Sequence, residues 1–146
     1  MKVKDVIAVK GSNVVTIQES HSILNALEKF SAYRVGSLLV KNEADEIVGI
    51  LSPRDVLMEV LNRCDQIGEV KVLEVMTRDL IISTPDDDLN YVQAIMTENR
   101  IRHLPIMDGQ NLAGIISIGD VVKAQLKEIN AENKYLRDYM VSKYPA

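Results

Sequence analysis

Part of this chain is written twice, and that limits the folds open to it more than any other feature. The segment Gly49-Ile50-Leu51-Ser52-Pro53-Arg54-Asp55-Val56-Leu57 returns as Gly114-Ile115-Ile116-Ser117-Ile118-Gly119-Asp120-Val121-Val122, identical at five of nine positions including the Gly, the Ser and the Asp. Upstream, Val14 to Val40 aligns with Leu80 to Ile106 at a constant offset of 66, which sets Phe30 on Met96, Arg34 on Arg100 and Leu38 on Leu104. The offset falls to 65 at the two Gly-Ile segments. Such a repeat means that one supersecondary unit is used twice, and that two units too small to bury their apolar faces alone pack together.

Apolar periodicity assigns the elements. Each copy predicts a strand (Val14 to Ile17; Leu80 to Ile82), a helix (about Ile23 to Ala32; Leu89 to Glu98), two more strands and a final helix. Val35 to Val40 and Ile47 to Leu51 are continuous apolar runs, the pattern of a sheet covered on both faces. The expected class is therefore α/β (α+β).

Several functions are set aside by composition. The 146 residues suffice for a sizeable core, and no apolar run reaches membrane-spanning length. Met1-Lys2-Val3-Lys4-Asp5 lacks the apolar stretch of a secretory signal. The single cysteine, Cys64, cannot form an internal disulfide and suits a reducing compartment, so a cytoplasmic location is expected. A net charge of −4, one Phe and no Trp argue against nucleic acid as a partner.

The repeated Ser-x-x-Asp admits two readings. Ser at a helix N-cap with an acid three residues on is close to a capping box, and Pro53 falls where its missing N–H costs nothing. Alternatively, the free N–H groups of a helix start favour phosphate, while a carboxylate there accepts hydrogen bonds from a ribose diol.

The sequences Arg100-Ile101-Arg102-His103-Leu104-Pro105-Ile106 and Gly114-Ile115-Ile116-Ser117-Ile118-Gly119-Asp120 resemble a CBS motif, the family named for cystathionine β-synthase, and the chain resembles a stand-alone tandem pair or Bateman module from about Val6 to Lys123. The resemblance implies two βαββα motifs at 6–60 and 75–124, related by pseudo-twofold symmetry, with a linker at 61–74 and a C-terminal helix at 125–146. It implies a cleft between the motifs for an adenine nucleotide. The preferred site takes Ser117, Gly119 and Asp120, with Arg102 and His103 towards phosphate and the base near Thr16, Ile17 and Gln18. The second takes Ser52, Arg54 and Asp55, with Gly36 and Ser37 in place of the cations and the base near Ile82, Ser83 and Thr84. Glu19 and Leu39 stand where the second copy has Pro85 and Pro105, a further inequality between the copies.

Other candidates have plainer readings. His103 reads equally as a hydrogen-bonded structural residue or a ligand contact. Arg34 and Arg100 suit helix C-caps. Asp86-Asp87-Asp88 precedes a predicted helix, where acids offset the helix dipole, and lacks the spacing of a metal site. Two histidines and one cysteine give no zinc set, neither repeated serine lies in a Gly-x-Ser-x-Gly elbow, and Lys10-Gly11-Ser12 lacks the glycine spacing of a P-loop. No metal or required cofactor is expected.

Val122, Leu126, Ile129, Asn133, Leu136 and Met140 are spaced 4, 3, 4, 3, 4 along a helix from about Asp120 to Ser142. This a/d seam predicts a homodimer, although a stripe that packs on the chain's own core gives the same spacing. The expected function is a non-enzymatic regulatory module that binds an adenine nucleotide, AMP above ADP, ATP or NAD, and acts on an unidentified partner protein. The alternatives are a ligand-free structural dimer and a small nucleotide hydrolase working through Ser117 or His103.

Overall fold

The computed structural model describes residues 1–143, with side chains through Val141. In chain order its elements are α1 (Val3–Lys10), β1 (Thr16–Gln18), α2 (Ile23–Tyr33), β2 (Leu38–Lys41), β3 (Ile47–Leu51), α3 (Pro53–Arg63), α4 (Val72–Val75), α5 (Leu89–Asn99), β4 (His103–Asp108), β5 (Asn111–Ser117) and α6 (Ile118–Lys143). They form a mixed α/β fold with a long C-terminal helix. The chain divides into two compact units, one of Ser12–Ile82 and the other of Met1–Gly11 together with the chain from Ser83 onward.

In the first unit β1 runs parallel to β2, pairing Ile17 with Val40, and β2 runs antiparallel to β3, pairing Leu38 with Leu51. Ile17, Ile23, Leu38, Val40, Leu51, Val56 and Val72 fill its core. Ser22 starts α2 through a capping box: its Oγ accepts the Asn25 N–H at 3.1 Å, and Asn25 Oδ1 accepts the Ser22 N–H at 3.1 Å. Arg34 ends α2 and the aligned Arg100 ends α5, both in the left-handed region at φ 52° and 55°. This is the C-cap role their position suggested, held here without glycine.

The second unit repeats the plan with one correction. No strand forms at Leu80 to Ile82; a single parallel bridge joins Ser83 to Ile106 instead. Two hydrogen bonds make it, Ser83 N–H to the Pro105 carbonyl (3.0 Å) and Met107 N–H to the Ser83 carbonyl (2.8 Å). In the first unit the ladder continues on both sides, through Leu39 N–H to Val15 (3.3 Å) and Glu19 N–H to Lys41 (2.9 Å). The residues aligned with Leu39 and Glu19 are Pro105 and Pro85, which have no N–H to give. Two prolines thus trim a strand to one bridge.

Helix α1, which the sequence reading did not identify, reveals a third repeated stretch. Lys2-Val3-Lys4-Asp5-Val6-Ile7 matches Lys71-Val72-Leu73-Glu74-Val75-Met76 at an offset of 69. The two make the same contacts. Val72 and Leu73 donate N–H to the carbonyls of His21 (2.8 Å) and Glu19 (3.1 Å), whereas Val3 and Lys4 donate to Asp87 and Pro85 (2.9 Å each). Each unit is therefore completed by the segment that precedes the other repeat in sequence.

These crossings explain the repeated glycine. A Cβ at Gly49 would lie 2.6 Å from Met76 Sδ, and one at Gly114 would lie 2.7 Å from Ile7 Cδ1, with Ile7 and Met76 themselves aligned. Gly114→Ala is expected to destabilise the chain by roughly 1–3 kcal/mol, through overpacking against Ile7 together with the backbone φ of 159°, which side chains rarely adopt. Ile7→Val removes the offending Cδ1 and should recover part of that loss. Thermal unfolding of the two single variants, the double variant and the parent measures the coupling; additive effects would show that the contact is not the cause.

The last helix extends away from its unit. Val121 and Ala124 are buried, but every residue from Leu126 to Val141 is exposed. Among the described residues no helix is long and apolar enough to cross a membrane. The end of the helix expected at 125–146, residues 144–146, lies outside the described residues.

Candidate functional site

Strand β5 ends at Ser117 and α6 begins at the next residue, so the junction presents a helix start. Ser117 Oγ accepts the Asp120 N–H at 3.1 Å, and Asp120 Oδ2 accepts the Ser117 N–H at 2.9 Å, a reciprocal capping box. The Ile118 N–H is spent on the Arg102 carbonyl at 2.8 Å, and His103 sits directly across the ladder from Ser117. Five of the expected residues, Arg102, His103, Ser117, Gly119 and Asp120, thus meet at one junction of one unit.

A sixth residue was not foreseen. Lys10, in the last turn of α1, places Nζ 2.6 Å from Asp120 Oδ2 and 2.8 Å from the Ile115 carbonyl. It lies 110 residues from Asp120 in sequence. The signal that bears on it is the Lys2-to-Ile7 repeat, which equates the stretch leading to Lys10 with the one that packs on β3 in the other unit; there the position aligned with Lys10 is Asp79, an acid.

Burial works to raise the Asp120 pKa. The hydrogen bond from Lys10, the Ser117 N–H and the Lys10 charge outweigh it, leaving the carboxyl below its ordinary value. A depressed carboxylate contributes stability that is present above its unfolded-state pKa and lost as pH falls through the lower folded one. His103 is also lowered, first by burial and then by the charge of Lys10, with Arg102 adding to this and Asp120 opposing it. Its imidazole is therefore neutral at neutral pH.

The equivalent junction of the first unit is plainer. Ser52 Oγ accepts the Asp55 N–H at 3.3 Å and Asp55 Oδ2 accepts the Ser52 N–H at 2.9 Å, with Pro53 at the first helical position. Ser37 is buried, Gly36 and Arg54 are exposed, and β2 starts only at Leu38. Among the described residues no lysine or arginine is ion-paired with Asp55, in contrast to Asp120.

The residues expected near the base are distributed between the units. Thr16, Ile17 and Gln18 form β1 of the first unit, where the Ile17 side chain belongs to the core and the Thr16 carbonyl accepts Lys29 Nζ at 2.7 Å. Ile82 is exposed at the end of that unit. Ser83 and Thr84 open the other unit and both donate to Asp87, Ser83 through its hydroxyl and Thr84 through its N–H at 2.8 Å. Those bonds, the hydroxyl foremost, hold the Asp87 carboxyl below its ordinary value.

The three consecutive acids go to three different partners. Asp86 faces Lys4 at 3.2 Å, Asp87 takes Ser83 and Thr84, and Asp88 caps α5 by accepting the Asn90 N–H at 2.8 Å. Among the described residues no group of three or more His, Cys, Asp or Glu is placed to hold a metal ion.

If Lys10 sets the field at this junction, Lys10→Met should raise two pKa values together. Asp120 loses an attractive cation and His103 loses a repulsive one, so both rise. Carboxyl and imidazole NMR titrations of the full chain read the shifts; two unmoved curves would remove Lys10 from the explanation.

The CBS domain family matches residues 3–62 and 72–127. The chain is 32% identical over 127 residues to the mitochondrial CBS domain-containing protein CBSX3 of Arabidopsis thaliana, covering 84% of this chain and 62% of that one. It spans 39% and 58% of the lengths of matched uncharacterized proteins from Methanocaldococcus jannaschii and Methanopyrus kandleri. Among solved structures, a CBS-domain-containing protein from Agrobacterium tumefaciens superposes with a TM-score of 0.82 at 34% identity, over 85% of this chain and 92% of that one. The CBS domain pair of protein MJ0100, solved with 5′-methylthioadenosine and S-adenosyl-L-methionine, shares the fold at a TM-score of 0.75 and 22% identity, over 88% and 98% of the two chains. Repeat, fold and sequence agree that this chain belongs to the CBS domain family, with two CBS domains covering most of its length.

Proposed function

We propose that this chain is a regulatory, non-catalytic module that binds an adenine nucleotide at the head of α6. The observation that carries the reading is the meeting of one carboxylate, Asp120, with Lys10, Arg102 and His103 at a helix N-terminus. A carboxylate at a phosphate site is unfavourable unless it binds something else, and a vicinal ribose diol offers it two donors. The diol is assigned to Asp120, the phosphate to Arg102, His103 and the Lys10 ammonium, and the ribose edge to Ser117. At Gly119 a Cβ would meet nothing nearer than Ser117 Oγ at 3.6 Å, so the helix start is uncrowded on that side. Two cationic side chains suit a single phosphate, which favours AMP over ADP, ATP and NAD. The adenosyl compounds bound by the MJ0100 pair share the same diol.

The first-unit set of Ser52, Arg54 and Asp55 is a weaker second site, with Arg54 as its nearest cation. Chemistry on the ligand has little to work with, because Ser117 Oγ already accepts the Asp120 N–H and Asp120 Oδ2 is held by the Ser117 N–H and Lys10, so neither serves as an activated nucleophile or base. Binding regulates by favouring one of two arrangements, which requires different affinity for each. The output passes to a second copy of the chain and to a regulated partner protein.

Calorimetric titration with AMP, ADP, ATP, NAD and S-adenosylmethionine tests the reading. AMP should bind, and Asp120→Asn should weaken it by roughly ten- to a hundredfold, the loss of a charged hydrogen bond. Silence from the whole panel at millimolar concentration would leave the structural dimer as the better reading. Chromatography after incubation should return each nucleotide intact, whereas released product would restore the hydrolase.

A further inference from the structure

We infer that α6 pairs with the α6 of a second copy as a parallel, in-register two-stranded coiled coil. The inference rests on the homodimer reading above and goes further in fixing which faces meet and in which direction.

Among the described residues the seam is left exposed by its own chain. Val122, Leu126, Ile129, Leu136 and Met140 are 45 to 61% exposed, and every residue from Leu126 to Val141 is exposed. A helix with so little tertiary contact is marginal in water. Its start is already anchored in the unit through buried Val121 and Ala124, so association does not have to nucleate it. From Val122 to Met140 the seam is about 27 Å long.

Charge and polarity choose the occupant and its direction. The seam places Leu126, Asn133 and Met140 at a positions and Val122, Ile129 and Leu136 at d, with Glu132 at g and Lys123 and Arg137 at e. In a parallel pair Asn133 meets the partner's Asn133, amide to amide, and Glu132 faces the partner's Arg137 on both sides. An antiparallel pair over the same span sets Asn133 against Ile129, Glu132 against Glu132 and Lys123 against Arg137. That arrangement buries an amide against an apolar side chain and juxtaposes like charges on both flanks. A second copy in parallel register pairs Asn133, Glu132 and Arg137 and leaves Lys123, which faces the apolar Ile118 position, free of a like charge.

The test uses full-length chains in a Cys64→Ser background, because Cys64 is a free, exposed thiol. Leu136→Cys should form a disulfide-linked dimer under mild oxidation about a hundredfold faster than Asp138→Cys on the opposite face, the ratio of a millimolar effective concentration to a ten-micromolar solution. Equal rates at the two positions, or rapid cross-linking only when Leu126→Cys chains are mixed with Leu136→Cys chains, would overturn the parallel register. Light scattering on the unmodified chain separates the two levels. A mass of 16.3 kDa sinks the homodimer reading together with this inference, whereas twice that mass with slow Leu136→Cys cross-linking sinks the inference alone.

Discussion

At Gly49 and Gly114 a chain segment crosses a β-strand so closely that a methyl group would stand 2.6 or 2.7 Å from the crossing side chain. Each unit is closed at one of these two crossings. In the first unit the crossing residue is Met76, which precedes the second repeat, and in the second unit it is Ile7, which precedes the first. Neither repeat is closed by the residues that directly precede its own first strand. The exchange also brings Lys10 to Asp120, because a helix laid across β5 must end near the point where β5 turns into α6. A packing constraint at a glycine therefore determines the electrostatics one turn further along.

From that point the two copies diverge while sharing a scaffold. Both keep a Ser-Asp capping box with nearly the same hydrogen bonds. Only the second receives a lysine on its carboxylate, and only the second has Arg102 and His103 leading into its strand. The same copy carries Pro85 and Pro105, which remove the two ladder bonds that flank the Ser83–Ile106 bridge. Duplication supplies two equal frames, and a handful of substitutions makes their chemistry unequal.

The elements legible in the sequence are those whose signals are local. The strand at Ile47 to Leu51 is legible as a continuous apolar run, and the helices from Ile23 and Leu89 because an apolar period and a polar cap coincide there. The strand at Leu80 to Ile82 was misread because its residues have β propensity, while the missing donors belong to Pro85 and Pro105, one of them on another strand. Helix α1 is harder to read because its match to Lys71-Val72-Leu73-Glu74-Val75-Met76, three identities in six residues, is short and stands at a different offset from the main repeat. Without α1 there was no means of placing Lys10, which reaches Asp120 through space rather than along the chain. The set Arg102, His103, Ser117, Gly119 and Asp120 was legible only through the resemblance of the surrounding motif, and the structure joins those residues by a ladder pairing and a capping box.

A capping role and the proposed ligand role are compatible at the same Ser-x-x-Asp. A capping box fixes the Asp120 rotamer by engaging Oδ2 with the Ser117 N–H, and Lys10 reaches that same oxygen. Among the described residues Oδ1 is not engaged in this way, so the proposed diol would meet a carboxylate already oriented and already charged. Such preorganisation lowers the ordering cost of binding. It also accounts for the depressed Asp120 pKa, since the groups that hold the rotamer are those that stabilise the anion. The first unit fixes the Asp55 rotamer in the same way. What it lacks is the lysine that holds the charge in place, and on the proposed reading this makes Asp120 the stronger of the two sites.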